Sequence, residues 1–175
     1  MIKEYKAFTI TYGGLAYVLI TDVGISLPAS SFQEAVQKDP VIKKCIAVWD
    51  TGATHSVITK KVALEMGLIS TGKADVSHVG GTDTVNRYLV NIILPNNVMI
   101  PALNVTEGLL PHCDILVGMD VILRGDFAVT NEDGLTAMSF RMPSYKRIDF
   151  VPENNQRNFL ITHGTKKQKK SAGLL

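Results

Sequence analysis

Charge of either sign is scarce in this 175-residue chain: only 19% of residues are charged, and the formal net charge is +2. Four of the lysines stand together in the C-terminal run KKQKK, as Lys166, Lys167, Lys169 and Lys170. Subtracting those four takes the balance from +2 to −2. The body of the protein therefore has no strong field to gather nucleic acid or anionic lipid, and neither is expected as a partner. The lysine run reads as a solvated tail. Cysteine is equally scarce. Cys45 and Cys113 lie beside apolar strand-like segments, which argues for free thiols in a reducing, cytoplasmic setting rather than a disulfide framework. With His55, His78, His112 and His163 they form no CxxC or HExxH spacing, so neither metal nor cofactor is expected. No run approaches the roughly 18 apolar residues of a membrane span. The opening MIKEYKAFTITYGG lacks the apolar core of a signal peptide.

What is abundant is strand pattern. Hydrophobic residues make up 46% of the chain, enough for one folded domain with a sizeable core. KAFTITYGGLAYVLITDVGISL reads as two strands joined in a hairpin at Gly13-Gly14, and residues 30–39 as a short helix stopped by Pro40. KKCIAVWD is an apolar strand running into Asp50. Thr59 is placed to cap a helix, KKVALEM, and Gly67 to close it. A second hairpin turns at residues 80–83, a third turn falls at Asn96-Asn97, and a last hairpin turns at Glu132-Asp133-Gly134. Asp120 reads as the cap of a short helix, VILR. Beyond Pro143 the pattern weakens, leaving room for one more strand before the tail. The fold class is mainly β with two or three short helices.

The chemistry centres on Asp50-Thr51-Gly52-Ala53, a lone acid at the end of an apolar strand followed by a turn. The tripeptide carries little alone, because chance supplies a D-[TS]-G in roughly one chain of this length in ten. Its neighbours carry more. A glycine-bearing hairpin (His78, Val79, Gly80, Gly81) follows, and then a second apolar strand ending in glycine (Ile115, Leu116, Val117, Gly118) with a short helix behind it.

In AVWDTGA, HVGGTDTV and ILVGMDVI, taken in that order, the sequence resembles the retropepsin-like aspartic peptidases. The resemblance covers about residues 45–142 of a domain expected over 1–150, with 151–175 as a C-terminal extension. It implies a closed, barrel-like single lobe of the acid-protease type, active as a two-fold homodimer. Asp50 would be catalytic, Thr51, Gly52 and Ala53 would form its loop, residues 78–81 a flap over a peptide or protein substrate, and residues 115–118 the supporting strand. Cleavage by this route needs two carboxylates sharing one proton, and one motif per chain implies that the second Asp50 comes from a second copy.

Two departures place the chain with cellular or bacterial members rather than viral ones. Thr54 and Met119 stand where viral members carry an acid and an arginine that pair, and the flap counted from His78 to Tyr88 is a few residues short. Trp49 is expected to pack and His55 to sit on the rim, since successive strand residues face opposite ways. The competing function is a noncatalytic homodimer that keeps the fold as a peptide-binding or assembly module.

Overall fold

The computed structural model describes residues 4–28, 41–78 and 80–174. The helix expected over 30–39 and the tip residue Val79 lie outside the described residues, as does the side chain of His78. The chain divides into two compact units, Met1–Tyr145 and Lys146–Leu175.

Alternation builds the first unit. In β3 (Lys43–Trp49) every second side chain, Cys45, Ala47 and Trp49, is buried. The pleat sends successive residues to opposite faces, and this strand has one face in the core. β2 (Leu19–Ser26) pairs antiparallel with β3, which pairs in parallel with β8 (Ile115–Val117). β8 is flanked on its other side by β4 (Val57–Thr59), and β4 by β7 (Val98–Gly108). β7 pairs with β6 (Gly81–Leu94), and the C-terminal end of β6 returns to β2 through Gly24↔Ile93 and Ile25↔Ile92. Six strands thus close on themselves as a barrel. Its interior is filled by Ile25, Ile58, Val90, Ile92, Ile100, Val105, Ile115 and Val117, all fully buried. Closure leaves these six strands without a continuous free edge.

β5 (Gly72–His78) lies outside the ring and pairs only with the first half of β6, from Gly72↔Arg87 to His78↔Gly81. This is the expected second hairpin, with one correction. Gly81, Thr82 and Asp83 are already in the ladder, so the turn does not run over 80–83 but ends before Gly81.

A separate three-stranded sheet joins β1 (Lys6–Thr11), β10 (Leu135–Met142) and β9 (Asp126–Glu132). The Gly13-Gly14 hairpin is therefore overturned: β1 pairs with β10, and β2 with β3. Neither glycine adopts the positive φ that a tight hairpin turn needs. The chain makes a wider loop, held by the Tyr12 hydroxyl, which donates to the Ile20 carbonyl and accepts its N–H, both at 3.0 Å. Trp49 ties the sheet to the barrel by stacking on Phe127 at 5.6 Å and packing against Phe8 and Phe140. Its indole N–H reaches the Thr21 hydroxyl at 3.0 Å. It is a packing residue, as its place opposite Asp50 on the pleat implies.

The turns at Asn96-Asn97 and Asp133-Gly134 have the positive φ expected of them. Helix α1 (Lys60–Glu65) is capped by the Thr59 hydroxyl, which accepts the Val62 N–H, and Gly67 follows it at φ +60. Helix α2 (Met119–Ile122) starts two residues earlier than expected, capped at Gly118, and Asp120 sits inside its first turn instead of capping it.

In the second unit the expected strand is a helix, α3 (Phe150–His163). Asp149 opens it by accepting the Val151 N–H at 3.0 Å. Pro152 falls in the first turn, where its missing N–H costs nothing. The tail is not irregular either. Thr165 and Gln168 form a reciprocal capping box that starts α4 (Lys166–Ser171), and neither helix has a buried side chain. Among the described residues no helix is long and apolar enough to cross a membrane.

Candidate active site

Asp50 lies where β3 runs out. Its N–H still reaches the Val117 carbonyl of β8 at 2.9 Å, so the sheet fixes its main chain. The chain then turns: the Asp50 Oδ1 accepts the Gly52 N–H at 2.8 Å, and the Asp50 carbonyl accepts the Ala53 N–H at 3.3 Å. The carboxylate is half-buried, while Thr51 and Gly52 are exposed beside it. One carboxylate oxygen is engaged by a backbone donor, which fixes the group's orientation.

The loop is held from beneath. β8 lies between β3 and β4, so residues 50–56 must cross over its C-terminal end. Gly118 and α2 meet the loop there. The Met119 N–H donates to the Ala53 carbonyl at 2.8 Å and the Asp120 N–H to the Thr54 carbonyl at 3.2 Å. The Asp120 carboxylate accepts both the Ser56 N–H at 2.9 Å and the Ser56 hydroxyl at 2.7 Å, and that hydroxyl accepts the Gly118 N–H at 3.1 Å. Gly118 is required by this contact. A Cβ there would stand 2.7 Å from the carbonyl carbon of His55 and 2.9 Å from the carbonyl oxygen of Ala53.

Beside the loop opens a cleft of about 670 Å³. Residues 52–55 form one wall, the β5–β6 hairpin the other, and Val57, Asn104 and Thr106 the floor. Asp50 itself is not part of the wall. His55 is exposed and lines the cleft, where its position next to the loop puts it. Gly80 and Gly81 are exposed at the hairpin's end, and Gly81 takes φ +132, a conformation that suits glycine.

The structure thus brings residues 50–53 and 115–118 into one assembly, with the hairpin across the cleft from residues 52–55. Four contributors escaped the sequence reading: Ser56, Arg87, Asn104 and Thr106. Ser56 and Asp120 gave no signal because their pairing joins positions 64 residues apart. Arg87 did give one, being the only Lys or Arg between Lys73 and Arg124. Among the described residues no group of three or more His, Cys, Asp or Glu is placed to hold a metal ion.

The chain is similar in its path to retropepsin-like proteases. A retropepsin-like aspartic protease from Rickettsia conorii matches 81% of this chain and 98% of its own, at 14% identity and a TM-score of 0.49. The EIAV protease in complex with an inhibitor matches 65% of this chain and 92% of its own, at 20% identity and a TM-score of 0.44. A retroviral protease-like domain from Leishmania major matches 66% and 90%, at 17% identity and a TM-score of 0.39. No family model matches the sequence, and neither does any curated protein.

Proposed function

We propose that the chain is an aspartic endopeptidase working as a two-fold homodimer, with one Asp50 from each copy at the axis. The observation that carries this reading is the setting of Asp50. A lone half-buried carboxylate is oriented by the Gly52 N–H on a loop braced by Ser56, Gly118 and Asp120, beside a cleft whose other wall is a hairpin. A turn residue with no chemistry to perform needs no such brace.

In the dimer two Asp50 carboxylates would face each other and share one proton, because like charges a few ångströms apart do not both ionise cheaply. The ionised member takes a proton from the water between them as its oxygen attacks the peptide carbonyl. The protonated member donates to the carbonyl oxygen. Collapse of the resulting diol breaks the C–N bond, and the amine leaves with a proton from the dyad. The Gly52 N–H keeps each carboxylate aimed. The β5–β6 hairpin covers the peptide and limits competing water.

Wild-type protein and Asp50→Asn, mixed with a diverse peptide pool between about pH 4 and 7, test this. Cuts made only by wild type, in protein whose solution mass is that of a dimer, are the expected result. A monomer at every concentration refutes the shared dyad. Peptide binding that survives Asp50→Asn, with no hydrolysis by wild type, would instead identify a noncatalytic peptide-binding module.

A further inference from the structure

The two faces of the β5–β6 hairpin differ in chemistry. Pairing Gly72↔Arg87, Ala74↔Val85 and Val76↔Asp83 places the residues of these pairs on one face. The other face carries Asp75, Ser77 and Thr84, where the Thr84 hydroxyl donates to the Asp75 carboxylate at 2.7 Å. On the first face Ala74 and Val76 are half-buried and Arg87 is exposed, and all three line the cleft. Asp83, nearer the tip, is exposed and outside the cleft wall. Arg87 is therefore the one charged side chain that this face contributes to the cleft.

Its main chain is firmly placed. The Arg87 carbonyl accepts the Thr71 N–H at 2.8 Å, the Thr71 hydroxyl at 3.2 Å and the Ser70 hydroxyl at 3.3 Å. Directly across the ladder Gly72 has no side chain, and a Cβ there would stand 3.7 Å from an Arg87 guanidinium nitrogen. That leaves the guanidinium room to extend. Among the described residues it has no carboxylate partner. The acids nearest to it in the ladders are committed elsewhere: Asp75 to Thr84, and Glu107 to the Tyr88 hydroxyl at 2.7 Å and the Asn86 amide at 3.3 Å. Those hydrogen bonds, the one from Tyr88 first, hold the Glu107 carboxyl below its usual range. Across the cleft stand Thr54, His55, Asn104 and Thr106, which add no negative charge, and the one carboxylate in the lining is Asp75, which already accepts the Thr84 hydroxyl.

A guanidinium that lines a substrate cleft and has no carboxylate partner among the described residues favours a planar anion that can take two of its N–H groups at once. We propose that Arg87 is a specificity-determining residue that selects substrates carrying an aspartate or glutamate side chain in the subsite beside the hairpin. The inference rests on the peptidase reading for its setting, yet the charge preference belongs to the cleft whether or not the chain hydrolyses what it binds.

A series of fluorescein-labelled octapeptides, in which one Glu is walked along an Ala/Val background, with Gln counterparts at each position, tests it on the full chain. At one position wild type is expected to cleave the Glu peptide with a kcat/KM roughly ten- to a hundredfold above its Gln twin. In Arg87→Gln that ratio falls to near one, and in Arg87→Glu a Lys peptide overtakes the Glu peptide. Cleavage with no Glu preference at any position overturns the inference and leaves the peptidase reading standing. If nothing is cleaved, anisotropy with Asp50→Asn protein decides. Glu-selective binding that disappears in Asp50→Asn/Arg87→Gln upholds the inference while the peptidase reading fails, and the absence of such selectivity overturns both.

Discussion

Replacing Ser56 with alanine removes one oxygen and strands two partners. The hydroxyl donates to Asp120 Oδ1 at 2.7 Å and accepts the Gly118 N–H at 3.1 Å, and Ser56 is fully buried. A hydrogen bond to a charged group contributes roughly 1.5–3 kcal/mol, and a buried N–H left without a partner costs about 1–3 kcal/mol. Asp120 keeps its bond from the Ser56 N–H at 2.9 Å, which offsets part of the loss. A net cost of about 3 kcal/mol follows, and at roughly 2–4 °C per kcal/mol for a chain of this size the melting temperature should fall by about 6–12 °C. Asp120→Asn should cost less. Its amide oxygen can accept the Ser56 N–H while its NH2 group donates to the Ser56 oxygen, so only the hydroxyl's own proton loses its acceptor. Calorimetry on Ser56→Ala, Asp120→Ala and the double variant checks the network: the double loss should fall short of the sum of the single losses by at least about 1 kcal/mol. Strict additivity, or a Ser56→Ala loss under about 0.5 kcal/mol, would refute the idea that this triad braces the loop.

Gly118→Ala should displace the loop rather than unfold the barrel, since its Cβ meets backbone atoms of His55 and Ala53. Peptide cleavage should drop by about a hundredfold, the usual cost of a misplacement near 1 Å, while the far-ultraviolet circular dichroism stays unchanged. The buried Cys45 thiol is pushed up to about 11, by burial first and by the nearby Asp114 carboxylate second. The folded state therefore holds its proton after the unfolded chain has lost it. This contribution to stability is complete below about pH 8.5 and is lost as pH rises toward 11, on the order of 2 kcal/mol in all. Urea titrations from pH 8 to 11 should show this decline in wild type and a flatter slope in Cys45→Ala, and equal slopes would count against it.

The strands around the loop were legible because alternation and turn chemistry both point the same way there. KKCIAVWD, ILVG, the Thr59 cap, Gly67 and the Asp133-Gly134 turn are local signals, and each is where the sequence put it. The losses came where partners are distant. Gly13-Gly14 has hairpin composition, but the choice of β10 as the partner of β1 depends on packing around Trp49 and Phe140. Residues 150–163 spread their apolar side chains round the helix, so no period announces it, and the Asp149 cap is the one local clue. Asp120 has cap chemistry, yet it spends its carboxylate on Ser56, a choice that only the crossing of loop and helix makes visible.

The sheet that joins β1 to β10 sets an order of events on the ribosome. Thr9 and Ser139, whose hydroxyls meet at 3.0 Å, are 130 residues apart in the chain. At roughly 5–20 residues per second, β1 waits about 7–26 s for its partner to be made. Phe8, buried at the end of assembly against Trp49 and Phe140, is exposed or bound to something else throughout that interval. The barrel strands are all synthesised before β10, so a nascent chain halted after Ile122 could hold its loop while its first strand hangs free. Maturation of the unit is thus a late, single act that follows translation of Met142, and a chaperone that shields aromatic segments would find its client in the first dozen residues.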